Sequence, residues 1–213
     1  MLLLYQLFRL AQLQKIGMIM KTLLVYAHLL AACVSVGILL LQDLALAKTR
    51  GGPLSTKAIS DLRTAADIMF FALVVLWITG LALVVVGYLE NPEQYLMNQK
   101  LWAKFTVVSI LTLNGLFLHY FSFPRVISRC GLLGRSPLEQ SLIAITGAIS
   151  STSWLFACFL GIARLWNYTA DYQFVMLVYA ALVSAAIIVA CNVMRSLRAH
   201  EPPLLTDQVH IKT

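Results

Sequence analysis

Lys21, His28, Ser35 and Gln42 fall seven residues apart in a stretch that is otherwise mostly apolar, and Lys104 and His119 stand in a second such stretch. These residue types have definite chemistry. A neutral imidazole nitrogen ligates a metal, haem iron included, and an ammonium pairs with a carboxylate or another anion. The heptad spacing places all four residues of the first set near one stripe of a helix, with His28 about 10 Å along the axis from Lys21. Lys104 and His119 are separated by about 22 Å of helical rise and about 60° of rotation, so both can face a bundle interior. Leu111 and Gly115 share the Lys104 face, and Gly115 there marks an expected site of close backbone approach.

The elements that position these groups are membrane spans. The chain has 213 residues, 60% hydrophobic and 12% charged, with a mean hydropathy of +0.82. Soluble domains are about 45–50% apolar and about 25% charged, so this chain has too little polar surface to cover a water-facing globule. That excludes an ordinary cytosolic enzyme, a secreted disulfide scaffold and a disordered protein. The net charge of +7 is spread between apolar runs. It reads as a topology signal rather than a nucleic-acid footprint, and no nucleic-acid partner is expected.

A spanning helix needs about 20 mostly apolar residues. Five runs meet this, at about 22–41, 65–89, 101–123, 142–165 and 172–194, and each lacks an internal proline. The expected fold is all-α: a polytopic membrane protein forming an antiparallel bundle of five transmembrane helices within residues 18–198. Short loops make sequential helices neighbours. Asn91-Pro92-Glu93 ends the second span and starts a short interfacial helix, and Pro124 closes the third. Ser136-Pro137-Leu138-Glu139 is a helix start with a cap, Pro at the first position and Glu three residues after the cap.

Residues 1–17, with Leu3, Leu4, Leu7, Phe8 and Leu10 at helical spacing, suit an interfacial amphipathic helix. The alternative is an untranslated extension, with translation starting at Met18 or Met20. The polar tail 199–213 is expected to be disordered. One side of the bundle carries six Lys and Arg residues and the other ten. The positive-inside rule then puts the N-terminus outside and the C-terminus in the cytoplasm of a bacterial-type inner (plasma) membrane.

The first and third spans run in the same direction, so His28 shares a depth with Lys104 and not with His119. This excludes a haem held between His28 and His119, but permits haem b with His28 as its single axial ligand and Lys104 beside a propionate. His28, Ser35 and Lys104 are expected to line one pocket opening toward the outer leaflet. The blander readings are that each histidine only hydrogen-bonds a neighbouring helix and that Lys104 snorkels to the surface. Thr146, Ser150, Ser153, Ala157 and Gly161 form a small-residue stripe suited to helix packing, and Cys33, Cys130, Cys158 and Cys191 show no metal-binding spacing.

The segments LLVYAHLLAACVSVGILL, DIMFFALVVLWITGLAL and KLWAKFTVVSILTLNGLFLHYF resemble the HemJ-type protoporphyrinogen oxidase family. They are also similar to the wider group of small membrane proteins around copper resistance protein D. His28 with Gly37, Gly80-Leu81, Lys104 and His119 carry the resemblance, over roughly residues 20–125. It implies a haem-binding bundle in which His28 is the ligand and metal-binding residue and Lys104 a nearby functional residue; Ser35 and His119, polar residues inside the same spans, are further cofactor-side candidates.

Two functions follow as expectations. One is a membrane protein that binds haem b or a porphyrin with a redox role. The other is a non-enzymatic subunit or assembly factor, partnered by another membrane protein or by its own copies. A permease is disfavoured by the lack of an inverted repeat and of broken helices.

Overall fold

The computed structural model describes residues 1–49, 51–127, 132 and 134–199. Arg50, Cys130 and positions 200–213 of the tail lie outside the described residues. So do the side chains of Leu3, Leu4, Leu7, Phe8 and Leu10, which carried the amphipathic reading. Helix α1 runs Leu2–Lys48, α2 Thr56–Glu90 and α3 Pro92–Leu96. Helix α4, Gln99–Phe117, passes through a π-helical turn at Leu118–Ser122 into α5, Phe123–Val126. Helices α6, Pro137–Ile162, and α7, Tyr172–Ala199, complete the chain, with a short 3-10 turn at Arg164–Trp166 between them. No strand occurs among the described residues. Five of the helical segments are long and apolar enough to cross a membrane: Gln14–Lys48, Thr56–Glu90, Gln99–Val126, Pro137–Ile162 and Tyr172–Ala199. The protein is an all-α polytopic bundle.

The helix boundaries follow local chemistry. Ser55 caps α2 by accepting from the Ala58 N–H at 3.2 Å. Ser136 and Glu139 form the reciprocal capping box of α6, with Pro137 at its first position. Two stretches differ from the expected boundaries. Helix α1 is continuous through residues 17–22; Gly17 alone costs about 1 kcal/mol of helix propensity, too little to break a run of good helix formers. Pro124 does not close the third span. Its ring conflicts with the carbonyl four residues earlier in a regular helix, and the wider turn at Leu118–Ser122 accommodates it, so the helix reaches Val126.

Helices α1 and α2 form an antiparallel hairpin. Its seam is heptad-spaced on both sides: Lys21, His28, Ser35 and Gln42 on α1 against Ala65, Ala72 and Thr79 on α2. Lys21 pairs with Glu90 at one end, and His28 meets Thr79 at 2.8 Å. The same register sets Ser35 opposite Ala72 and Gln42 opposite Ala65. Small residues on α2 thus receive the polar ones on α1. A strict seven-residue repeat favours a left-handed crossing.

Helices α4, α6 and α7 form a second group around Ala103, Val107, Phe156, Leu160, Val175 and Tyr179. Buried polar contacts fix its register. Ser153 Oγ lies 2.7 Å from Tyr179 OH, and Asn114 Nδ2 donates to the Thr146 carbonyl at 3.0 Å. Of the small-residue stripe on α6, Thr146, Ser150 and Ser153 are buried and Ala157 packs on this core, whereas Gly161 is exposed. The two groups meet at an apolar plug of Leu39, Leu111 and Trp154, backed by Met69, Leu73 and Leu76. The Trp77 indole also donates to Thr112 Oγ1 at 3.0 Å, and Ser151 Oγ donates to Asp43 at 2.8 Å.

The seam register is testable by cross-linking. With the native cysteines changed to alanine, Ser35→Cys combined with Ala72→Cys should oxidise to an intramolecular disulfide, read by peptide mass mapping. Ser35→Cys combined with Val75→Cys should not, because Val75 is 41% exposed on the outer face of α2.

Candidate functional site

His28 is seated on α2. A Cβ built on Gly80 would lie 3.4 Å from His28 Cε1, so glycine at 80 lets the imidazole lie close to the α2 backbone. The ring's Nδ1 is 2.8 Å from Thr79 Oγ1, and Thr79 Oγ1 in turn donates to the Val75 carbonyl at 2.6 Å. Nε2 makes no hydrogen bond among the described residues, and the side chain is half-buried.

Lys104 approaches the same region from α4. It stands seven residues from Leu111, about 10 Å along the axis and on the same stripe. His28 stands eleven residues from Leu39, about 16 Å along the axis and again on the same stripe. Both project from the apolar plug toward the end of the bundle that carries α3, with depths that differ by about 6 Å. Cys158 lies one turn beyond Trp154 of the plug, toward that same end. Lys104 interacts electrostatically with both His28 and Cys158. No hydrogen bond engages its ammonium among the described residues, and the side chain is half-buried. The site therefore brings an imidazole nitrogen and a lysine ammonium, neither hydrogen-bonded among the described residues, above an apolar floor. It suits a ligand with one electron-pair acceptor and one anionic group.

The other residues singled out from the sequence are placed differently. Ser35 is completely buried and donates to the Ala31 carbonyl of its own helix at 2.9 Å. His119 is exposed in the π-helical turn, stacked on Phe123 with ring centroids 6.3 Å apart, and is not brought to His28. A Cβ on Gly115 would meet nothing within 4 Å; within the spans the close approaches are at Gly80 and Gly87. Among the described residues no group of three or more His, Cys, Asp or Glu side chains is arranged to hold a metal ion. A metal bound here would rest on His28 and on the ligand's own donors.

Thr79, which the sequence reading did not single out, and Gly80, which it named only within the resemblance, flank the His28 ring. Lys100, one of the six outer-side cations, is buried at 7% exposure. It donates to the Ala163 carbonyl at 2.6 Å and to Asn167 Oδ1 at 2.9 Å, capping the C-terminal end of α6. Above the site, α3 packs on α2 through Tyr95, whose ring occupies the space that a Cβ at Gly87 would need. Burial pushes the Tyr95 phenol above its ordinary range, Tyr168 and Glu90 adding to the shift and Lys21 opposing it, so the hydroxyl stays protonated at neutral pH.

Lys100 and Lys104 are one turn apart, and their substitution should act in opposite directions. Lys100→Met strands two acceptors and should destabilise the protein by about 1.5–3 kcal/mol, the range for hydrogen bonds from a charged donor. Lys104→Met removes an unengaged charge from an apolar span and should raise the melting temperature in detergent. Thermal unfolding of the two variants beside the unsubstituted protein checks both signs. No family model matches the chain, and neither a curated protein nor a solved structure is detectably similar to it.

Proposed function

We propose that this integral membrane protein binds haem b or a related porphyrin between the α1–α2 hairpin and the α4–α6–α7 group, with a redox role. The observation that carries the reading is the orientation of His28: Nδ1 is engaged by Thr79 and Nε2 is left unengaged. A ligating histidine characteristically has one ring nitrogen fixed by a neighbouring hydrogen bond and the other available. Lys104 supports the reading, because an ammonium beside His28 fits a ring carrying carboxylates. The segments around His28, Gly80 and Lys104 are those that resemble the HemJ and copper resistance protein D groups.

In this arrangement His28 Nε2 would hold the iron and Lys104 would hold a propionate, with the Leu39–Leu111–Trp154 plug as the apolar floor beneath them. Bound haem would supply one-electron chemistry whose potential depends on the axial ligand and on burial. The positive-inside rule puts the site in the outer leaflet of a bacterial-type inner membrane.

The second reading, a non-enzymatic membrane subunit or assembly factor, draws on the same contact. The His28–Thr79 hydrogen bond also serves as an interhelical tie of the usual membrane kind. An absorption spectrum separates the two. Protein purified from haem-replete cells should show a Soret band that His28→Ala abolishes and Lys104→Met weakens. A colourless preparation that also fails to take up added hemin would overturn the haem reading in favour of the subunit, for which co-purification with a partner after mild solubilisation is then the expected result.

A further inference from the structure

We infer that Thr79 is a positioning residue that locks His28 in its Nδ1–H tautomer and so keeps Nε2 as a lone-pair donor. The inference rests on the reading of His28 as a ligand, but its chemistry can be followed without one. A threonine hydroxyl has one proton, and that of Thr79 is directed at the Val75 carbonyl 2.6 Å away. Toward His28 the same oxygen can then only accept, so the Nδ1 atom 2.8 Å from it must carry hydrogen.

A neutral imidazole carries one proton, so with Nδ1 protonated, Nε2 has none. At Gly80 a Cβ would come into van der Waals contact with Cε1, the atom between the two nitrogens. The chain Val75 C=O, Thr79 O–H, His28 N–H is therefore a relay of acceptors and donors in one direction. Its far end is a nitrogen with no hydrogen bond among the described residues.

Nitrogen-15 NMR of histidine-labelled full-length protein in lipid bilayers tests this directly, with the His28 signals assigned by their loss in His28→Gln. The unsubstituted protein should show a protonated Nδ1 and an unprotonated Nε2. Thr79→Ser should keep that pattern, and Thr79→Val, of nearly the same shape, should shift His28 toward the Nε2–H tautomer. A protonated Nε2 in the unsubstituted protein, or a pattern unchanged in Thr79→Val, would overturn the inference; the first result needs no variant to fold. In a parallel hemin titration Thr79→Val should bind about 10–100-fold more weakly, the usual loss on removing the partner of a ligating histidine, while Thr79→Ser stays near the unsubstituted value. If no form binds hemin, the proposed function falls and the tautomer measurement still decides the role of Thr79.

Discussion

A polar side chain in hydrocarbon has to be satisfied within the protein, since lipid offers it no hydrogen bond, and His28 is satisfied by Thr79. Much else follows from that pairing. It fixes which residue of α1 faces which residue of α2, and so sets the Lys21–Glu90 pair at one end of the seam. It brings the ring close to the α2 backbone at Gly80, where a Cβ would lie 3.4 Å from Cε1. It also requires small residues at 65 and 72, where the remaining polar members of the α1 stripe come to lie. One hydrogen bond is worth only about 1 kcal/mol in such a setting. Its importance is in selecting a register among several that apolar helices would accept equally well.

The fold was legible because hydropathy and length decide it. Five apolar runs without internal proline leave little choice when every backbone group must be satisfied inside the span. The boundaries at Ser136 and Asn91 were legible through capping chemistry. The course of the chain at Pro124 was not, because proline in a sequence normally signals an end, and only three-dimensional accommodation by a widened turn carries the helix onward to Val126. Periodicity placed Lys21, His28, Ser35 and Gln42 on one stripe but could not say which neighbour the stripe faces. The answer lay in α2, in the matching spacing of Ala65, Ala72 and Thr79. Small residues are so common in spans that their recurrence stood out only once its partner stripe was known.

Lys100 and Lys104 show the same limit in another form. They have identical side chains one helical turn apart, and depth alone assigns both to the outer part of a span. Lys100 points to the end of α6 and is engaged by a carbonyl and an amide oxygen, whereas Lys104 has no hydrogen bond among the described residues. What separates them is a rotation about α4 and the presence of a helix end opposite one of them. Neither is written in the local sequence.

The placement of the apolar plug gives the site an unequal mechanical footing. His28, Thr79 and Gly80 belong to the hairpin and travel together. Lys104 belongs to the three-helix group, and Lys100 pins its helix to the end of α6 one turn away. Leu39, Leu111 and Trp154 form the apolar contact between these halves. Any change in the spacing of the halves would leave the His28–Thr79 distance unchanged but alter the gap between imidazole and ammonium, about 10–16 Å along the helices from that contact. The orientation of the imidazole is thus independent of the size of what can lie beside it.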